Sequence, residues 1–407
     1  MATDRIALVV SDFEGGGVER NLTNLARGLA RLGVETWLLV GDPHHAYLRD
    51  LEANDPASGV RVLGVTAPRT GFLRDFMRRE RPDCLVTGKL VDDLAALAAR
   101  DGLPPAAGGA TRLIAAVGTP LSGRFAAHRW NLPKTWRETR RIRHGYRRLD
   151  GITTVSRAVA DDLRQYFGIT GVPIAVLANP ILPDDLQDLA AAPCTHPWLA
   201  QPRGAGRPPV IVALGGLRKV KGFDTLLRAF ARLDHATARL ILIGEGKERD
   251  RLTDLAGRLG LADRLDLPGF CVNPFPYLAR ADLLALSSRR EGLPNALVEA
   301  MALGTPVVAT DCTGGVRDLL QSESGGGRLG PLVPIDDPAA LATALNDTLR
   351  RRDTLDREPL RQAAEPYRLL PAARAYLEFF RSLTPAIVTN YGDFRITGSL
   401  LSHRRSG

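Results

Sequence analysis

The sequence predicts an α/β protein made of two doubly wound, Rossmann-like domains with a cleft between them. Short apolar runs alternate with amphipathic segments of helical period, a rhythm that is typical of βαβ units in a parallel sheet. A stretch with five prolines and little periodicity, residues 189–209, interrupts this rhythm once and is predicted to be the interdomain linker. The 407 residues are 44% hydrophobic and 24% charged, so the chain has enough apolar material for two cores.

The first predicted domain covers residues 1–188. Its clearest helix is 19–32, because apolar residues recur there at three- and four-residue spacing and Gly33 follows. A further helix is predicted over 157–166. Short apolar runs predict buried strands at 5–11, 35–40, 84–87, 113–117, 151–155 and 174–177.

The second predicted domain, residues 210–370, repeats the pattern. Helices are predicted at 222–233, 248–259 and 338–351. Strands are predicted at 210–214, 239–243, 265–268, 282–287 and 305–310. The remaining segment, 371–407, begins with a helix that we expect to cross back to the first domain and ends in a polar tail.

Charge and cysteine content limit the partners and the compartment. The chain has 54 basic and 45 acidic residues, and a net charge of +9 favours an anionic partner such as a phosphate, a membrane surface or a nucleic acid. Four cysteines without CxxC or zinc spacing indicate free thiols in a reducing compartment. No signal peptide or membrane-spanning stretch is visible, so we expect a cytoplasmic protein. The isolated acidic pair Asp92–Asp93 does not predict a metal site.

The most informative stretch runs from Glu291 to Gly304. Pro294 suits the first position of a helix, where its missing N–H costs little, and Gly304 suits the left-handed residue just past its end. We expect this helix to present its N-terminus to solvent, where it attracts anions. Glu291 lies just before that end and Glu299 lies along the helix. The stretch therefore suits a ligand with both phosphate and hydroxyls, such as a nucleotide sugar.

Two loops that contain glycine follow predicted strands. Gly16 and Gly17 precede the first helix, where the backbone can approach an anion; the spacing is not GxGxxG, and a plain tight turn is the alternative. Arg218 and Lys221 follow the first strand of the second domain. They could neutralise a diphosphate, or they could form a solvated basic loop.

A third loop, residues 268–278, is rich in glycine, proline and aromatic residues. Its backbone edge could hold a nucleobase, and we include Phe270 among the candidate ligand-binding residues. Phe275 and Tyr277 are instead predicted to pack into the core.

The segment 124–148 holds nine basic residues against one acid, with Trp130, Trp136 and Tyr146 between them. Such a segment suits an anionic membrane surface or a lipid phosphate, and a solvated helix face is the alternative. A nucleic-acid partner is not expected, because no nucleic-acid motif accompanies it. His128 is a candidate base or hydrogen-bond donor, although a lone histidine is usually structural.

Taken in chain order, these stretches resemble the retaining glycosyltransferases of family 4 (glycosyltransferase group 1), which have the GT-B fold. The resemblance covers nearly the whole chain and is strongest over residues 214–320. Its most specific parts are Asn273-Pro-Phe-Pro-Tyr277, Glu291-Gly-Leu-Pro-Asn295 and Glu299-Ala-Met-Ala-Leu-Gly-Thr-Pro306.

The resemblance implies a donor site in the second domain. Glu299 would accept hydrogen bonds from ribose hydroxyls, and Lys221 matches the family's phosphate-binding lysine. The donor sugar and its phosphate would be contacted by Glu291 and by the four residues that follow it, Gly292, Leu293, Pro294 and Asn295.

The resemblance also implies that the first domain binds the acceptor. The loop with Gly16 and Gly17 would close over the donor phosphate and help to form the acceptor site. One position departs from the family pattern: Gly216 stands where an arginine usually contacts the diphosphate. Arg218, two residues on, is the candidate substitute, and we group it with Glu291 and Lys221 as the candidate catalytic residues.

The implied activity is a retaining, metal-independent transfer of a sugar from a nucleotide sugar, with UDP favoured, to a hydroxyl of a glycan or polyprenyl-linked acceptor. It would serve surface polysaccharide or glycoconjugate synthesis, with the segment 124–148 at the inner face of the cytoplasmic membrane. No cofactor is expected, because the nucleotide sugar is a co-substrate. Two alternatives stay open: a non-catalytic nucleotide-sugar-binding partner of another transferase, and a sugar-nucleotide epimerase of similar fold.

Overall fold

Seven parallel strands form the first sheet of the computed structural model, which describes residues 4–11, 17–44, 48, 59–104, 111–125, 132–201, 206–321 and 328–383. These strands are β1 (Arg5–Val10), β2 (Glu35–Val40), β3 (Val60–Gly64), β4 (Cys84–Thr87), β5 (Arg112–Val117), β6 (Gly151–Thr154) and β7 (Ile174–Val176). Their spatial order is β3-β2-β1-β4-β5-β6-β7, which is doubly wound about β1.

The second sheet has six parallel strands. They are β8 (Val210–Leu214), β9 (Arg239–Ile243), β10 (Leu265–Gly269), β11 (Leu283–Leu286), β12 (Val307–Thr310) and β13 (Leu332–Val333). The order β10-β9-β8-β11-β12-β13 repeats the winding of the first sheet. Two doubly wound Rossmann-like sheets confirm the predicted fold class.

Helices cover both faces of each sheet. Those described before β8 are α1 (Gly17–Arg31), α2 (Arg69–Glu80), α3 (Leu90–Asp101), α4 (Leu132–Tyr146), α5 (Arg157–Asp161) and α6 (Leu186–Ala191). Those after it are α7 (Phe223–Phe230), α8 (Arg249–Arg258), α9 (Phe275–Arg280), α10 (Asn295–Ala302), α11 (Val316–Leu320), α12 (Pro338–Arg351), α13 (Glu358–Ala364) and α14 (Leu369–Ser382).

The central strands are apolar on both faces, as a covered parallel sheet requires. In β1, the five residues from Ile6 to Val10 are each at most 1% exposed. This continuous burial explains why β2, β4, β8 and β9 begin and end at their predicted residues. The edge strand β3 was not predicted, because its alternating exposed residues break the apolar run.

The C-terminal helix α14 joins the first sheet rather than the second. It packs on α1 so closely that a Cβ atom added to Gly28 would lie 2.6 Å from the Cβ of Ala373. Tyr376, Leu377 and Phe380 of α14 are buried in the same apolar cluster as β1 and β2. The first core is therefore completed by a helix that follows the whole second sheet in the chain.

Two chain segments connect the sheets, and they lie side by side. The backbone N–H groups of Ile181 and Leu182 both donate to the carbonyl of Tyr367, at 3.0 Å, and the N–H of Leu369 donates to Leu182. In the linker, the Nε2 of His196 lies 2.9 Å from the carboxylate of Asp266. The backbone carbonyls of Leu189 and Ala190 also accept hydrogen bonds from Asn273 and Arg280, so the linker is held on the second domain. The exact domain boundaries stay predictions.

Candidate functional site

The candidate site lies where the carboxyl ends of the two sheets face each other. From the second sheet, loops after β8, β11 and β12 reach this cleft. From the first sheet, the start of α1 and the loop after β5 meet them, and Asn21 of α1 accepts a 3.1 Å hydrogen bond from Asn295. Carboxyl ends of parallel strands and clefts between domains are common ligand sites.

Lys221 and Glu291 form the ion pair at the centre of the second domain's contribution. The Nζ of Lys221 lies 2.7 Å from Oε1 of Glu291, and the hydroxyl of Ser288 donates to the same oxygen at 2.6 Å. Both charged side chains are mostly buried, at 24% and 11% exposed. The structure therefore brings two of the three predicted catalytic residues into direct contact.

Cys312 lies beside this pair without being a nucleophile. Burial, together with the negative charge of Glu291, raises the pKa of its thiol to about 12. Cys84 has a pKa of about 12 for the same main reason, burial. All four cysteines are free, as predicted. At neutral pH these two thiols stay protonated.

Gly215 and Gly216 lie directly beside the two basic side chains of this loop. A Cβ atom added to Gly216 would lie 3.5 Å from the guanidinium Nε of Arg218, so that side chain folds back over position 216. A Cβ atom on Gly215 would lie 3.3 Å from Cε of Lys221. Arg218 is exposed, and its guanidinium lies next to the place where an arginine at position 216 would start.

The helix that carries Glu299 begins differently from the prediction. Pro294, predicted at the first helical position, is the N-cap residue, with φ −79° and ψ 102°, and Asn295 is the first helical residue. Gly304 has φ +67° just past the end of α10, as predicted.

The start of α10 is covered by the first domain instead of facing solvent, which corrects the second expectation. A Cβ atom on Gly292 would lie 1.7 Å from the carbonyl oxygen of Gly118 in the loop after β5. Gly292 and Pro294 are buried, and Leu293 packs against both domains' cores. An anion at this helix end would therefore be enclosed between the domains.

Glu299 is paired across the cleft. The NH1 of Arg20 on α1 lies 2.7 Å from Oε1 of Glu299, whose side chain is 1% exposed. This contact is an ion pair without a directed hydrogen bond, because Oε1 accepts none from the described residues. Sequence reasoning missed Arg20, although the charged pair Glu19–Arg20, one residue after the glycines, was the signal that could have identified it.

The loop after β10 packs two of its aromatic residues into the core, as predicted, and exposes the third. Phe275 is 4% exposed and belongs to the second core, and Tyr277 packs against the same cluster. Phe270 is 61% exposed at the carboxyl end of β10. Phe270 is thus available to a ligand at the edge of the cleft, whereas the other two rings are structural.

Two candidates cannot be placed. Gly16 and His128 lie outside the described residues. Gly17 begins α1, and a Cβ atom on it would lie 3.5 Å from Nδ2 of Asn295. Gly17 therefore faces the start of α10 across the cleft. That its loop closes over a donor phosphate stays a prediction.

Asp92 and Asp93 are more than an isolated acidic pair. Both are at most 2% exposed at the start of α3. Asp92 accepts a hydrogen bond from the hydroxyl of Ser11, at the end of β1. Asp93 accepts hydrogen bonds of 2.6 Å from Thr87 and from Tyr146. Burial, with a smaller effect of the charge of Asp92, raises the pKa of Asp93 from 3.8 to about 7, and the two hydrogen bonds oppose this rise.

The raised pKa of Asp93 predicts a pH-dependent stability. Its folded-state pKa lies above the unfolded value, so its contribution is complete below pH 3.8 and is lost as the pH rises through about 7. The loss is on the order of 4 kcal/mol. Asp93→Asn, which stays neutral, should flatten this part of the melting temperature profile. Asp101→Asn, an exposed change at the end of the same helix, should leave the slope unchanged; an equal slope in Asp93→Asn would contradict the assignment.

Most of the described part of the basic segment forms α4. Trp136 is 61% exposed, and the guanidinium of Arg140 lies 5.3 Å from its ring centroid. Tyr146, predicted to belong to the same surface, is instead 1% exposed, and its hydroxyl donates a hydrogen bond to Asp93. Arg143 and Arg147 donate to carbonyls of residues 167 and 168. The free basic face is thus smaller than the composition suggested.

A groove of about 470 Å³ runs between α2, α3 and α4. Most of its lining residues are apolar, and its charged lining residues are Arg69, Arg141 and Glu138. No described helix is long and apolar enough to cross a membrane. Among the described residues, no group of three histidine, cysteine, aspartate or glutamate side chains could hold a metal ion.

Comparison with known families gives matches over both halves of the chain. Residues 15–185 match the model described as Glycosyltransferase Family 4. Residues 208–351 match the model described as Glycosyl transferases group 1. These segments contain all the predicted site residues.

Two curated relatives match parts of the chain. One is the N-acetylgalactosamine-N,N'-diacetylbacillosaminyl-diphospho-undecaprenol 4-alpha-N-acetylgalactosaminyltransferase of Campylobacter jejuni, 32% identical over 50% of this chain and 52% of the relative. The other is the lipopolysaccharide core biosynthesis glycosyltransferase LpsE of Rhizobium meliloti, 37% identical over 34% of this chain and 38% of the relative. The matches thus span about half or less of these relatives' lengths.

Solved structures match over nearly the whole chain. Anabaena Alr3699/HepE in complex with UDP has a TM-score of 0.73 at 18% identity, covering 93% of this chain and 100% of that chain. A glycosyltransferase from Rickettsia africae has a TM-score of 0.73 at 16% identity, covering 94% and 99%. At this identity the likeness shows a shared fold.

Proposed function

Because the chain belongs to the family 4, group 1 glycosyltransferases, we propose that it transfers a sugar from a nucleotide sugar to a hydroxyl of a glycan or lipid-linked acceptor. The observation that carries this proposal is the juxtaposition of Lys221, Glu291 and the enclosed start of α10 in one cleft. A cation, a carboxylate and free helix N–H groups suit the phosphate and hydroxyls of such a donor.

The proposed reaction retains the configuration of the sugar. The bond from the anomeric carbon to the diphosphate oxygen breaks, and the acceptor oxygen bonds to the same carbon from the same face. The departing phosphate takes the acceptor proton, so no protein nucleophile is needed. Lys221, Arg218 and the N–H groups at the start of α10 would stabilise the charge that develops on the leaving group. Glu291 would orient Lys221 and contact the donor sugar.

The position of Arg218 supports its role as the substitute for the arginine that Gly216 lacks. Its guanidinium lies next to position 216 and is exposed. Lys221 stands on the other side of the same glycine pair. Two cations on one loop could share a diphosphate, which carries charge on both phosphates.

UDP is the favoured nucleotide, since a structure of the same fold was solved with UDP. A lipid-linked acceptor is favoured by the name of the C. jejuni relative, which acts on a diphospho-undecaprenol compound. Phe270 at the end of β10 would lie beside the base. Glu299 would accept hydrogen bonds from the ribose, and Gly17 would close over the donor phosphate.

A panel of UDP- and GDP-sugars, offered with lipid-linked and glycan acceptors, tests the proposal. We expect binding of a UDP-sugar, followed by release of UDP and a product with retained anomeric configuration. Transfer should continue in EDTA, because metal independence is part of the proposal. Neither binding nor transfer with any pair would contradict the function.

A non-catalytic nucleotide-sugar-binding role is the second candidate, and Gly216 is the observation that favours it. If Arg218 cannot replace the missing arginine, the leaving group would be poorly stabilised. This role predicts nucleotide-sugar binding without release of the nucleoside diphosphate, and a stable complex with an active transferase. Single-turnover assays at high enzyme concentration separate the two candidates.

We further propose that α4 contacts anionic membranes and that the groove beside it receives a lipid-linked acceptor. Trp136 and the basic side chains around it form an exposed, aromatic and cationic face, as interfacial helices do. The apolar lining of the groove suits a lipid. Arg141 and Arg69, the latter beside its partner Asp92, outnumber Glu138 there, which favours a lipid that carries phosphate. These features also support a location at the inner face of the cytoplasmic membrane.

The double change Arg137→Gln with Arg140→Gln should weaken binding to phosphatidylglycerol vesicles by about tenfold or more, because each basic residue near the surface contributes about 1 kcal/mol. Vesicle co-sedimentation at fixed salt measures this change. The matched control is Arg350→Gln with Arg351→Gln on α12 of the other domain, which changes the net charge equally. If both pairs weaken binding to the same extent, α4 is not the contact.

A further inference from the structure

Three residues at the start of α1 face the start of α10 across the cleft. A Cβ atom on Gly17 would approach Asn295, Asn21 accepts a hydrogen bond from Asn295, and Arg20 pairs with Glu299. On α1 the three positions lie on one face, and Asn295 and Glu299 are four residues apart on one face of α10. The two helix starts therefore form one seam between the domains.

The Arg20–Glu299 ion pair occupies the carboxylate that would bind the ribose of a nucleotide. Glu299 is 1% exposed, so a ribose could not reach its carboxylate while Arg20 holds its present position. A buried carboxylate needs a compensating charge or hydrogen bonds. Here the described compensation at Oε1 comes from the opposite domain and lacks a directed hydrogen bond. Two hydroxyl donors of a ribose could replace it.

Arg20 is partly exposed to solvent and also contacts an aromatic ring while it is paired with Glu299. Its side chain is 29% exposed, and its guanidinium carbon lies 6.0 Å from the ring centroid of Phe275. Once Glu299 is released, solvent can hydrate the cation and the contact with the ring can remain. Breaking the ion pair therefore does not leave the charge of Arg20 buried without a partner.

The neighbouring residue ties α1 to its own domain. Glu19 is 3% exposed and pairs with Lys89, just before α3, at 2.8 Å. Adjacent residues on a helix point in different directions, so Glu19 faces the first domain while Arg20 faces the second. The start of α1 is therefore anchored to the first domain through Glu19 while Arg20 contacts the second domain.

We propose that Arg20, through its ion pair with Glu299, holds the nucleotide-free protein closed and is displaced from Glu299 by the ribose of the entering nucleotide. This inference rests on the proposed function, because it takes Glu299 to be the ribose-binding carboxylate. Each binding event must then break the ion pair, so the pair lowers the measured affinity for any ligand with the ribose diol.

The test compares wild type, Arg20→Ala and Arg20→Lys by calorimetric titration with UDP and with uridine. Arg20→Ala should bind both ligands about tenfold more tightly, because no pair has to be broken. Arg20→Lys keeps the charge and should stay near wild type. Arg31→Ala, which removes an exposed ion pair with Asp184 at the other end of α1, should have no effect. Unchanged or weaker binding by Arg20→Ala overturns the inference.

Small-angle X-ray scattering of the nucleotide-free proteins gives a second readout. Arg20→Ala should have a larger radius of gyration than wild type, since the closed arrangement loses its ion pair; equal radii would overturn the closing role. If wild type binds no nucleotide, the proposed function fails, and the scattering result still decides whether Arg20 holds the domains together. The two failures are therefore distinguishable.

Discussion

Lys221→Ala is expected to lower the rate of sugar transfer by about 100- to 1,000-fold, the usual cost of removing one preorganised charge-stabilising donor. Lys221 lies 2.7 Å from Glu291, in a cleft that the first domain covers. Little water screens a charge in such a site. Removing the charge therefore mainly destabilises the transition state, in which the leaving diphosphate gains negative charge. The effect should appear in kcat more than in KM.

The matched control for this change is Lys219→Ala, two residues earlier on the same turn and exposed. It removes an equal charge from the loop, and transfer should stay near the wild-type rate. Arg218→Ala should lower transfer as well, if its guanidinium serves the diphosphate in place of the arginine missing at position 216. Full activity in Arg218→Ala would refute the substitution.

Loss of stability has to be separated from loss of chemistry in Lys221→Ala. Glu291, at 11% exposed, would keep its hydrogen bond from Ser288 but lose its cation. We expect a destabilisation of about 1–3 kcal/mol, the cost of leaving a buried group short of a partner. The melting temperature of each variant reports this directly. A variant that stays folded at the assay temperature and transfers at the wild-type rate would remove Lys221 from the mechanism.

Gly292→Ala is expected to lower transfer by about 100-fold or more, because misplacing the reacting groups by about 1 Å has that effect. The added methyl would lie 1.7 Å from the carbonyl oxygen of Gly118 and 3.3 Å from Cα of Thr119, both in the other domain. Neither is a flexible side-chain end that can move aside. The domains therefore have to separate, and the cleft cannot close fully.

The second domain itself should tolerate this alanine, since its clash is with the first domain. Melting temperature should change little, while the radius of gyration with bound UDP should increase. The matched control is Gly257→Ala on α8, where an added Cβ meets nothing within 4 Å. That change should raise stability by up to about 1 kcal/mol through helix propensity. Wild-type transfer by Gly292→Ala would show that this closed contact is not needed.

The sequence predicted the fold because the buried strands carry a strong signal. β2, β4, β8 and β9 have continuous apolar runs with polar boundaries, so their ends match the prediction to the residue. The edge strand β3 lacks such a run, because one of its faces is exposed. Its pairing with β2 depends on neighbours that are distant in sequence.

The site was predictable only within each domain. Lys221 and Glu291 follow strands of one sheet, and strand ends of a parallel sheet meet at one edge. The contacts of Gly118 with Gly292 and of Arg20 with Glu299 depend on how the two domains face each other, which no local pattern encodes. For the same reason the start of α10 was expected in solvent although the first domain covers it.

The return of α14 to the first sheet has a consequence for biosynthesis. During translation the strands of the first sheet leave the ribosome early, but the helix that covers α1 emerges only after all of the second sheet has been made. Domains usually fold as units as they are synthesised. Here the second domain can complete its core while the first still exposes the apolar surface that Ala373, Tyr376 and Phe380 later bury. We therefore expect the nascent first half to need chaperone protection until synthesis is nearly finished.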